Sequence, residues 1–441
     1  MNGTIDSRRR AVIGIAAASG AVAAGLLPGC GGSGGSGSAG GSEMGATSAP
    51  PATTPPPAAS APTNEAPSPA LPVANPDPVQ AIPIRTGLAS PWSFVFLPDG
   101  RVLVTEKGGT LRYLALDGSA PSAPLAGVPA VATAGQGGLL DVALGPTFDS
   151  DRRIYFTYSE PVAGGAARAA VACAVLGTSA LTDLEVIYRQ APATTSTIHF
   201  GARLVFDRSG LLFVTLGERG DGAQAQRMQV SLGKVIRIRA DGTVPPDNPA
   251  AMPDGAATGR SGDDGPAHPA FREAGALPEL WTFGHRNPQG AALHPVTGEL
   301  WISEHGPRGG DEINRIRRGR NYGWPRITYG RDYGTGEPFG DGTTAADVEP
   351  PLAHWAPVSV APAGMLFYTG DKLPAGWQDA LLVGTLAGAS LVRYALAGDT
   401  IASGMVHLSA LRQRIRTIRQ GPDGFPYFIT DGGGLYRLAP R

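Results

Sequence analysis

The sequence predicts an all-β fold, a six-bladed β-propeller of four-stranded blades, on three observations. After about residue 80, helix-period runs are scarce, whereas short β-rich runs bounded by Gly, Asp and Pro are frequent. One hairpin pattern recurs six times, at irregular intervals of about 50–90 residues. The remaining length of about 360 residues gives each blade about 60 residues, enough for four strands and their loops. A β-sandwich, the simpler alternative, explains neither the six copies nor the length.

Each copy of the hairpin contains an apolar run, a turn rich in Pro, Asp or Gly, and a second β-rich run that ends in polar residues. In the first copy, residues 94–97 lead through Pro-Asp-Gly into residues 101–106. The other five copies begin near Val142, Leu204, Ala292, Met365 and Ile418. Residues 82–88 are predicted to supply a strand that closes the ring against the last blade.

The first 30 residues are predicted to be an export signal. Three arginines at residues 8–10 precede an apolar run at residues 11–27, which is typical of a twin-arginine signal. The tetrapeptide LPGC resembles the end of a bacterial lipobox, so that Cys30 would become the lipidated first residue of the mature chain. The alternative is an uncleaved membrane anchor, but an apolar run of about 17 residues is at the short limit for spanning a bilayer.

Residues 31–80 are predicted to form a disordered tether between this signal and a folded domain. The first half is rich in Gly and Ser and is expected to be flexible, whereas the second half is rich in Pro and is expected to be extended. Neither half has the apolar content that a packed core requires. Residues 81–441 are then expected to form the propeller and to carry the catalytic site.

Charge and cysteine content exclude several classes of function. The formal net charge of -1 gives no general electrostatic basis for binding nucleic acid or an anionic membrane, so we expect no nucleic-acid partner. The two cysteines are unlike a disulfide framework, because Cys30 belongs to the export region. Cys173 lies in an apolar run and is predicted to be a small buried residue.

Unusual polar residues are concentrated between residues 281 and 332. Here a predicted strand at residues 299–303 is preceded by His-Arg-Asn-Pro-Gln-Gly and followed by His-Gly-Pro-Arg-Gly-Gly-Asp-Glu. In a propeller, such loops meet at one mouth of the central channel. The loops expected to join them are at residues 135–138, 198–203, 217–221 and 414–416. The sequence contains no zinc-helix histidine spacing, nucleophile elbow or phosphate loop, so it does not support hydrolysis by zinc or a serine triad.

Eight motifs resemble those of the soluble PQQ-dependent aldose sugar dehydrogenases, the glucose/sorbosone dehydrogenase group. They are GQGGLLDVAL, HFGARLVFD, GERGD, SLGKVIRI, GHRNPQG, SEHGPRGGDEIN, NYGWP and RIRTIRQGPDG. The resemblance extends from about residue 85 to the C-terminus, and it is specific because HRNPQG, HGPRGGDEIN and NYGWP occur in that order. It implies a six-bladed propeller that binds pyrroloquinoline quinone (PQQ) at the channel mouth and uses calcium.

The resemblance implies two catalytic residues. His199 matches the general base, which removes the proton of the anomeric hydroxyl while hydride passes to the quinone. Histidine suits this role because it exchanges protons near neutral pH. Glu218 stands where the glucose-oxidising members have an aspartate beside the base, so its longer side chain would orient His199 with a different geometry.

The implied cofactor contacts are polar or cationic. PQQ is a tricarboxylate, and planar guanidinium groups bind carboxylates with two parallel hydrogen bonds. The residues that match these contacts are Gln136, Arg286, Asn287, His305, Arg414 and Arg416. The chain departs from the pattern at Ala387, where the glucose-oxidising members carry a lysine against the cofactor.

Two calcium sites are also implied. Gly306 and Pro307 match the backbone carbonyl ligands of a catalytic calcium ion, which would polarise the carbonyl that accepts hydride. Hard oxygen ligands in irregular loops favour calcium over zinc at a second, structural site. The residues that match this second site are Glu312, Tyr322, Thr328 and Asp332.

The resemblance therefore implies an exported quinoprotein, periplasmic or tethered to a membrane through Cys30. It would oxidise the C1 hydroxyl of aldose sugars to lactones and pass electrons to a diffusible or membrane acceptor. Two alternatives stay open. A non-catalytic propeller that binds a glycan or protein would account for Ala387 in place of a lysine. A calcium-dependent lactonase propeller would place carboxylate and amide ligands in the channel, whereas this mouth is rich in arginine.

Overall fold

Antiparallel sheets contain almost all of the regular structure in the computed structural model, which describes residues 70–252 and 266–441. Six sheets are present in these ranges, and each is built on one of the six predicted hairpins. The prediction of a six-bladed β-propeller is therefore confirmed. The export signal of residues 1–30 and residues 31–69 of the predicted tether lie outside the described residues. For residues 70–80 the prediction of a disordered tether is wrong, because Val73 is bridged to Val406 and a strand begins at Val79. Within the described ranges, no helix is both long and apolar enough to cross a membrane.

The blades follow one another along the chain, and the first strands of neighbouring blades lie side by side around the channel. Blade 1 contains β2 (Pro91–Phe96), β3 (Val102–Glu106) and β4 (Thr110–Leu114). Blade 2 contains β5 (Leu139–Leu144), β6 (Arg153–Val162), β7 (Ala166–Leu176) and β8 (Leu181–Arg189). Blade 3 contains β9 (Gly201–Phe206), β10 (Leu212–Leu216), β11 (Lys234–Ile238) and β12 (Leu280–Phe283). Blade 4 contains β13 (Pro288–Leu293), β14 (Leu300–Glu304), β15 (Asp311–Ile316) and β16 (Ala353–Trp355). Blade 5 contains β17 (Pro362–Tyr368), β18 (Ala380–Thr385), β19 (Leu391–Ala397) and β20 (Thr400–His407).

Blade 6 joins the two ends of the propeller. It contains β21 (Ile415–Gln420), β22 (Pro426–Thr430), β23 (Leu435–Pro440) and β1 (Val79–Arg85). β1 pairs antiparallel with β23, from Val79 opposite Pro440 to Arg85 opposite Leu435. The predicted closing strand is confirmed, although it begins at Val79 and not at residue 82.

The helical segments are short and lie in the connections. They are the α-helix α1 (Phe148–Asp151) and the 3₁₀ turns at Ala163–Gly165, Gly222–Gln226, Pro269–Arg272 and Ser409–Leu411. Cys173 is buried, as predicted, and lies on β7 between blades 2 and 3.

Blade 1 has three regular strands, whereas the other five blades have four. An irregular segment takes the place of its fourth strand: the amide of Ser122 donates to the carbonyl of Tyr113 at 3.0 Å, and that of Leu125 to Leu111 at 2.8 Å. Pro121 and Pro124 lack amide hydrogens, so this segment cannot form a continuous ladder.

Buried hydroxyl groups connect neighbouring blades, and we call this set the hydroxyl belt. In blade 1, Thr105 Oγ1 donates to the Leu140 carbonyl of blade 2 at 2.6 Å, and in blade 2 Thr157 Oγ1 donates to the Ala202 carbonyl of blade 3 at 2.7 Å. Three more bonds of this kind are Thr215 to Pro288, Ser303 to Ala363 and Thr417 to Trp92. At the remaining seam, between blades 5 and 6, the hydroxyl of Thr385 donates within its own blade, to the Ser390 carbonyl.

Arg203 fills the middle of the channel. Its guanidinium lies 4.1 Å from the ring centre of Trp92 and donates to the carbonyl of Gln289 at 2.6 Å and the hydroxyl of Thr417 at 2.9 Å. Asp141 approaches the same guanidinium at 3.4 Å. Arg203 is only 2% exposed. A polar cavity lies where the first strands begin, and an apolar cavity lies where they end.

Candidate functional site

The polar cavity at the channel mouth has a volume of about 370 Å³. Four of the predicted site residues line it, namely Gln136, His305, Arg414 and Arg416. Its apolar walls are formed by Trp92, Leu140, Phe200 and Leu386. The lining also includes three side chains that the sequence analysis did not select, Lys107, Gln289 and Asp431.

His199 and Glu218 form a buried pair beside this cavity, next to the lining residues Phe200 and Gly201. His199 Nδ1 lies 2.8 Å from Glu218 Oε2, and its backbone amide donates to Gln136 Oε1 at 2.8 Å. A carboxylate at Nδ1 favours the tautomer that carries its hydrogen there, which leaves Nε2 as an acceptor. Nε2 makes no hydrogen bond within the described ranges. The pair can therefore take up a proton at Nε2.

The backbone around His199 is held in an unusual conformation. His199 has φ of 53°, in the left-handed region that residues other than Gly rarely adopt. A Cβ at Gly217 would collide with the His199 carbonyl, so only glycine fits at this close approach. Such local strain persists only where the surrounding structure fixes it.

Arg219 supplies much of that support, and the sequence analysis did not select it although it lies in the GERGD motif. Its guanidinium donates to the carbonyls of Ile198 at 2.9 Å and Ala167 at 3.1 Å, and also to the Ser196 carbonyl. It stacks on Phe200 at 3.5 Å from the ring centre. Arg219 is 2% exposed, and its contacts with this loop fix the backbone on either side of His199.

Asp431 pairs with both arginines of the cavity. Arg416 donates to its two carboxylate oxygens at 2.8 and 2.9 Å, and Arg414 donates to one of them at 2.8 Å. Burial would raise the pKa of Asp431, but the Arg416 and Arg414 guanidinium groups hold it below its ordinary value. The carboxylate is therefore ionised and neutralises part of the positive charge at this side of the cavity.

Lys107 brings a third cation to the cavity, from the turn after β3. Its ammonium donates to the Gly135 carbonyl, and burial, with Arg416 nearby, lowers its pKa. In blade 5, Ala387 is exposed and does not line the cavity, although the preceding Leu386 does. Positive charge reaches this cavity from blades 1 and 6.

His305, which lines the cavity, is hydrogen-bonded to the buried Asn287. His305 Nε2 lies 3.0 Å from the Pro362 carbonyl, and its Nδ1 lies 3.4 Å from Asn287 Nδ2. Burial, followed by the positive charges of Arg416 and Arg286, lowers the pKa of His305 to about 3. His305 is thus neutral near pH 7. Asn287 is fully buried and does not line the cavity.

The structure places Arg286 on a different, smaller cavity. Its guanidinium donates to the carbonyl oxygen of Gly306 at 2.6 Å and to that of His305 at 3.1 Å. A cation on the Gly306 oxygen would lie against this guanidinium, and like charges at contact repel strongly in a buried site. Pro307 is buried against Gly330. This arrangement does not fit a metal ion at the Gly306 carbonyl.

The small cavity, about 10 Å³ in volume, is lined by two carboxyl groups, those of Glu304 and Glu312, and by Arg286. Glu304 and Glu312 face each other across β14 and β15, and Asn314 Nδ2 donates to both carboxylates at 2.9 and 3.0 Å. Burial, followed by the charge of Glu304, raises the pKa of Glu312 to about 8. Asn314 Oδ1 is buried and has no hydrogen-bond partner among the described residues. These oxygens fit a hard cation such as calcium.

Two of the other three residues predicted for structural calcium also line the small cavity, Tyr322 and Thr328. The Tyr322 hydroxyl donates to the Arg315 carbonyl at 2.6 Å. Asp332 does not line the cavity, and its exposed carboxylate instead accepts hydrogen bonds within its own turn, from the amides of residues 334 and 335. Among the described residues, no three His, Cys, Asp or Glu side chains form a cluster that could hold a metal ion.

Comparisons with known proteins agree with this architecture. The family model for glucose/sorbosone dehydrogenase matches residues 88–437. The aldose sugar dehydrogenase YliI of Escherichia coli is 41% identical over 374 residues, which cover 83% of this chain and 95% of that protein. The crystal structure of the soluble aldose sugar dehydrogenase of E. coli, in its apo form, aligns with a TM-score of 0.74 and 40% identity over 82% of this chain and 100% of that chain.

A structure of the PQQ-bound aldose sugar dehydrogenase of Streptomyces coelicolor aligns with a TM-score of 0.64 and 25% identity. It covers 82% of this chain and 98% of that chain. The family match extends over nearly all of the described propeller, from before β2 into β23. The chain belongs to the glucose/sorbosone dehydrogenase family.

Proposed function

We propose that the protein is an oxidoreductase that oxidises the C1 hydroxyl of aldose sugars to lactones, with PQQ as its cofactor. The observation that carries the proposal is the His199–Glu218 pair, 2.8 Å apart, at the edge of a cavity that cationic side chains line. Family membership and the PQQ-bound relative support the choice of substrate class and cofactor.

The polar cavity fits a planar tricarboxylate in size and charge. Its volume of about 370 Å³ is within the usual range for small-molecule sites. Lys107, Arg414 and Arg416 offer donors for carboxylates, and Trp92 and Phe200 offer apolar surface. The chemistry that PQQ supplies in this reaction is acceptance of a hydride from C1 of the sugar.

His199 acts as the general base in this proposal. Its Nε2 accepts the proton of the anomeric hydroxyl as the C1–H bond breaks, so the sugar loses a proton and a hydride and becomes a lactone. Glu218 holds the imidazole in the required tautomer and stabilises the imidazolium that forms. Arg219 fixes the loop beneath the base.

Calcium is proposed for the small cavity, where Glu304 and Glu312 supply carboxylates and Thr328 an oxygen-bearing side chain. Such an ion would neutralise the paired carboxylates and so stabilise β14 against β15. The ligands predicted from Gly306 and Pro307 stay a prediction. The hydrogen bond from Arg286 to the Gly306 carbonyl argues against them, and we derive no catalytic step through calcium.

Export and tethering complete the proposal. Residues 1–30 would direct export to the periplasm, Cys30 would carry a lipid, and electrons would leave through a diffusible or membrane acceptor. Mass spectrometry of the mature N-terminus of native protein from a bacterial host tests the first two points. An intact Met1 would contradict cleavage of the export signal, and an unmodified Cys30 would contradict lipid attachment.

The decisive experiment supplies metal-free, cofactor-free protein with PQQ and calcium and follows dye reduction by a panel of aldoses. We expect activity in the wild type and its loss, by at least about 100-fold, in His199→Ala. His268→Ala is the matched control, because that imidazole lines neither the polar nor the small cavity. A wild type that binds PQQ but oxidises no aldose would contradict the proposed reaction. A wild type that ignores PQQ would favour the non-catalytic binding module.

A further inference from the structure

We propose that the ammonium group of Lys107 binds a carboxylate of the ligand in the polar cavity. Its charge makes the cavity select a polyanion over a neutral molecule. Identification of that ligand as PQQ rests on the proposed function. The assignment of Lys107 itself rests on the charge balance of the cavity and on how the side chain is held.

The charge balance singles out Lys107 among the three cations of the lining. Arg416 binds both oxygens of Asp431, and Arg414 shares the same carboxylate. Among the described residues Lys107 forms no ion pair, and its ammonium donates only to the Gly135 carbonyl. One carboxylate cannot neutralise three cations, and the charge left without a direct counter-ion is on Lys107.

The electrostatic environment of Lys107 agrees with this assignment. Burial and the neighbouring Arg416 both disfavour its ammonium form, which lowers its pKa. A ligand carboxylate at the ammonium would act against both effects, because an opposite charge nearby favours the charged form of the lysine. Binding of an anion is therefore expected to favour the ammonium form of Lys107.

Lys107 is also held in place before any ligand arrives. Its amide donates to the Ser90 carbonyl at 3.0 Å, and its carbonyl accepts from the amide of Leu139 in blade 2 at 3.1 Å. A Cβ at Gly138, which has φ of 143°, would collide with that carbonyl and lie 2.6 Å from Cγ of Lys107. The backbone and the start of the side chain are thus packed against blade 2, so little conformational freedom is lost on binding.

Blade 5 offers no equivalent charge. Leu386 lines the cavity there, and the neighbouring Ala387 has no charged group. The third positive charge of the cavity therefore comes from blade 1, the neighbour of the blade that carries Arg414 and Arg416. This position lies next to the turn that carries Gln136, whose side chain accepts from the His199 amide, so an anion at Lys107 would lie beside the base.

Equilibrium titrations of the calcium-supplied full chain test the proposal with two probes. PQQ is followed by absorbance, and benzene tricarboxylate, which has no redox chemistry, is followed by calorimetry. Lys107→Met removes the charge, Lys107→Arg restores it, and Lys372→Met is the control, because Lys372 is exposed and pairs with Asp371. We expect Lys107→Met to weaken the binding of both probes by at least about tenfold and to reduce the salt dependence of their binding. The affinity of Lys107→Arg for both probes is expected to remain within about threefold of that of the wild type.

Each outcome separates this proposal from the proposed function. If the wild type binds the tricarboxylate through Lys107 but not PQQ, the proposed function fails and the assignment of Lys107 stands. If Lys107→Met binds both probes like the wild type, or if Lys107→Arg binds as weakly as Lys107→Met, the assignment is overturned. A wild type that binds neither probe contradicts both. Equal thermal unfolding midpoints of the ligand-free variants exclude loss of folding as the cause of weaker binding.

Discussion

His199 Nδ1 lies 2.8 Å from Glu218 Oε2, and both side chains are almost fully withdrawn from water, at 10% and 2% exposure. The carboxylate also accepts the amide of Gly220 at 2.7 Å, so its position is fixed independently of the imidazole. A carboxylate held in this way sets both the tautomer and the orientation of the ring.

We expect Glu218→Gln to lower kcat by at least about 100-fold with little change in KM. A glutamine amide can donate to Nδ1, which would move the imidazole hydrogen to Nε2 and block proton uptake there. Steady-state kinetics of PQQ-loaded protein measure the effect. Glu218→Asp, which keeps the charge, should recover part of the rate, and wild-type kcat in Glu218→Gln would show that the pair has no role in proton transfer.

Arg219→Ala is expected to destabilise the protein by about 2–4 kcal/mol, because it removes a buried side chain and leaves several carbonyls without their donor. The loop of His199 loses its support in the same step, so kcat should fall as well. Urea denaturation and kinetics report the two effects separately. Arg227→Ala, at a residue close in sequence that lines neither cavity, is the control. A stable Arg219→Ala variant with wild-type kcat would contradict the positioning role.

The hydroxyl belt predicts the result of Thr157→Val. The variant keeps the shape of the side chain but leaves the Ala202 carbonyl and the Asp141 amide without their partner, which costs about 1–3 kcal/mol. Thr182→Val on β8 of the same blade is the control, since Thr182 is exposed and should change stability by less than about 0.5 kcal/mol. Denaturant unfolding of both variants decides whether bonds between blades contribute as proposed.

Calcium is expected to stabilise the protein more at alkaline than at acidic pH. The pKa of Glu312 is raised from 4.5 to about 8, so between these values the folded, metal-free protein holds a proton that the unfolded chain has released. The stability from this group is full below about pH 4.5 and is lost as the pH rises through about 8. Calcium binds the ionised form, so its effect grows over the same window.

Thermal unfolding with and without calcium, at about pH 5 and about pH 8.5, measures this dependence. In Glu312→Gln the metal-free protein should lose the pH dependence that Glu312 causes, and calcium should no longer stabilise it. An equal effect of calcium at both pH values in the wild type would contradict the site in the small cavity.

The fold was largely predictable because each blade begins with a hairpin whose alternation and turn residues are local. Outer strands were less predictable: in blade 1, Pro121 and Pro124 leave an irregular segment whose hydrogen bonds depend on its neighbour β4. The motifs led to Gln136, Arg414 and Arg416, which the structure brings to one cavity.

Other site residues depend on tertiary structure alone. Lys107 and Asp431 are single charged residues after strands, far apart in sequence, and nothing local indicates that they meet. Sequence also does not reveal on which side of a loop a long side chain lies. Arg286 follows the predicted motif, yet its guanidinium is directed to the Gly306 carbonyl and the small cavity.

The pairing of β1 with β23 dictates when this protein can finish folding. Val79 and Pro440 are partners in one sheet, so the circle of blades stays open until β23 has been synthesised. A nascent chain halted earlier would present an unmatched strand edge to its surroundings. Closure of the ring is therefore a late event that requires all six blades, and the two ends of the propeller hold each other in place.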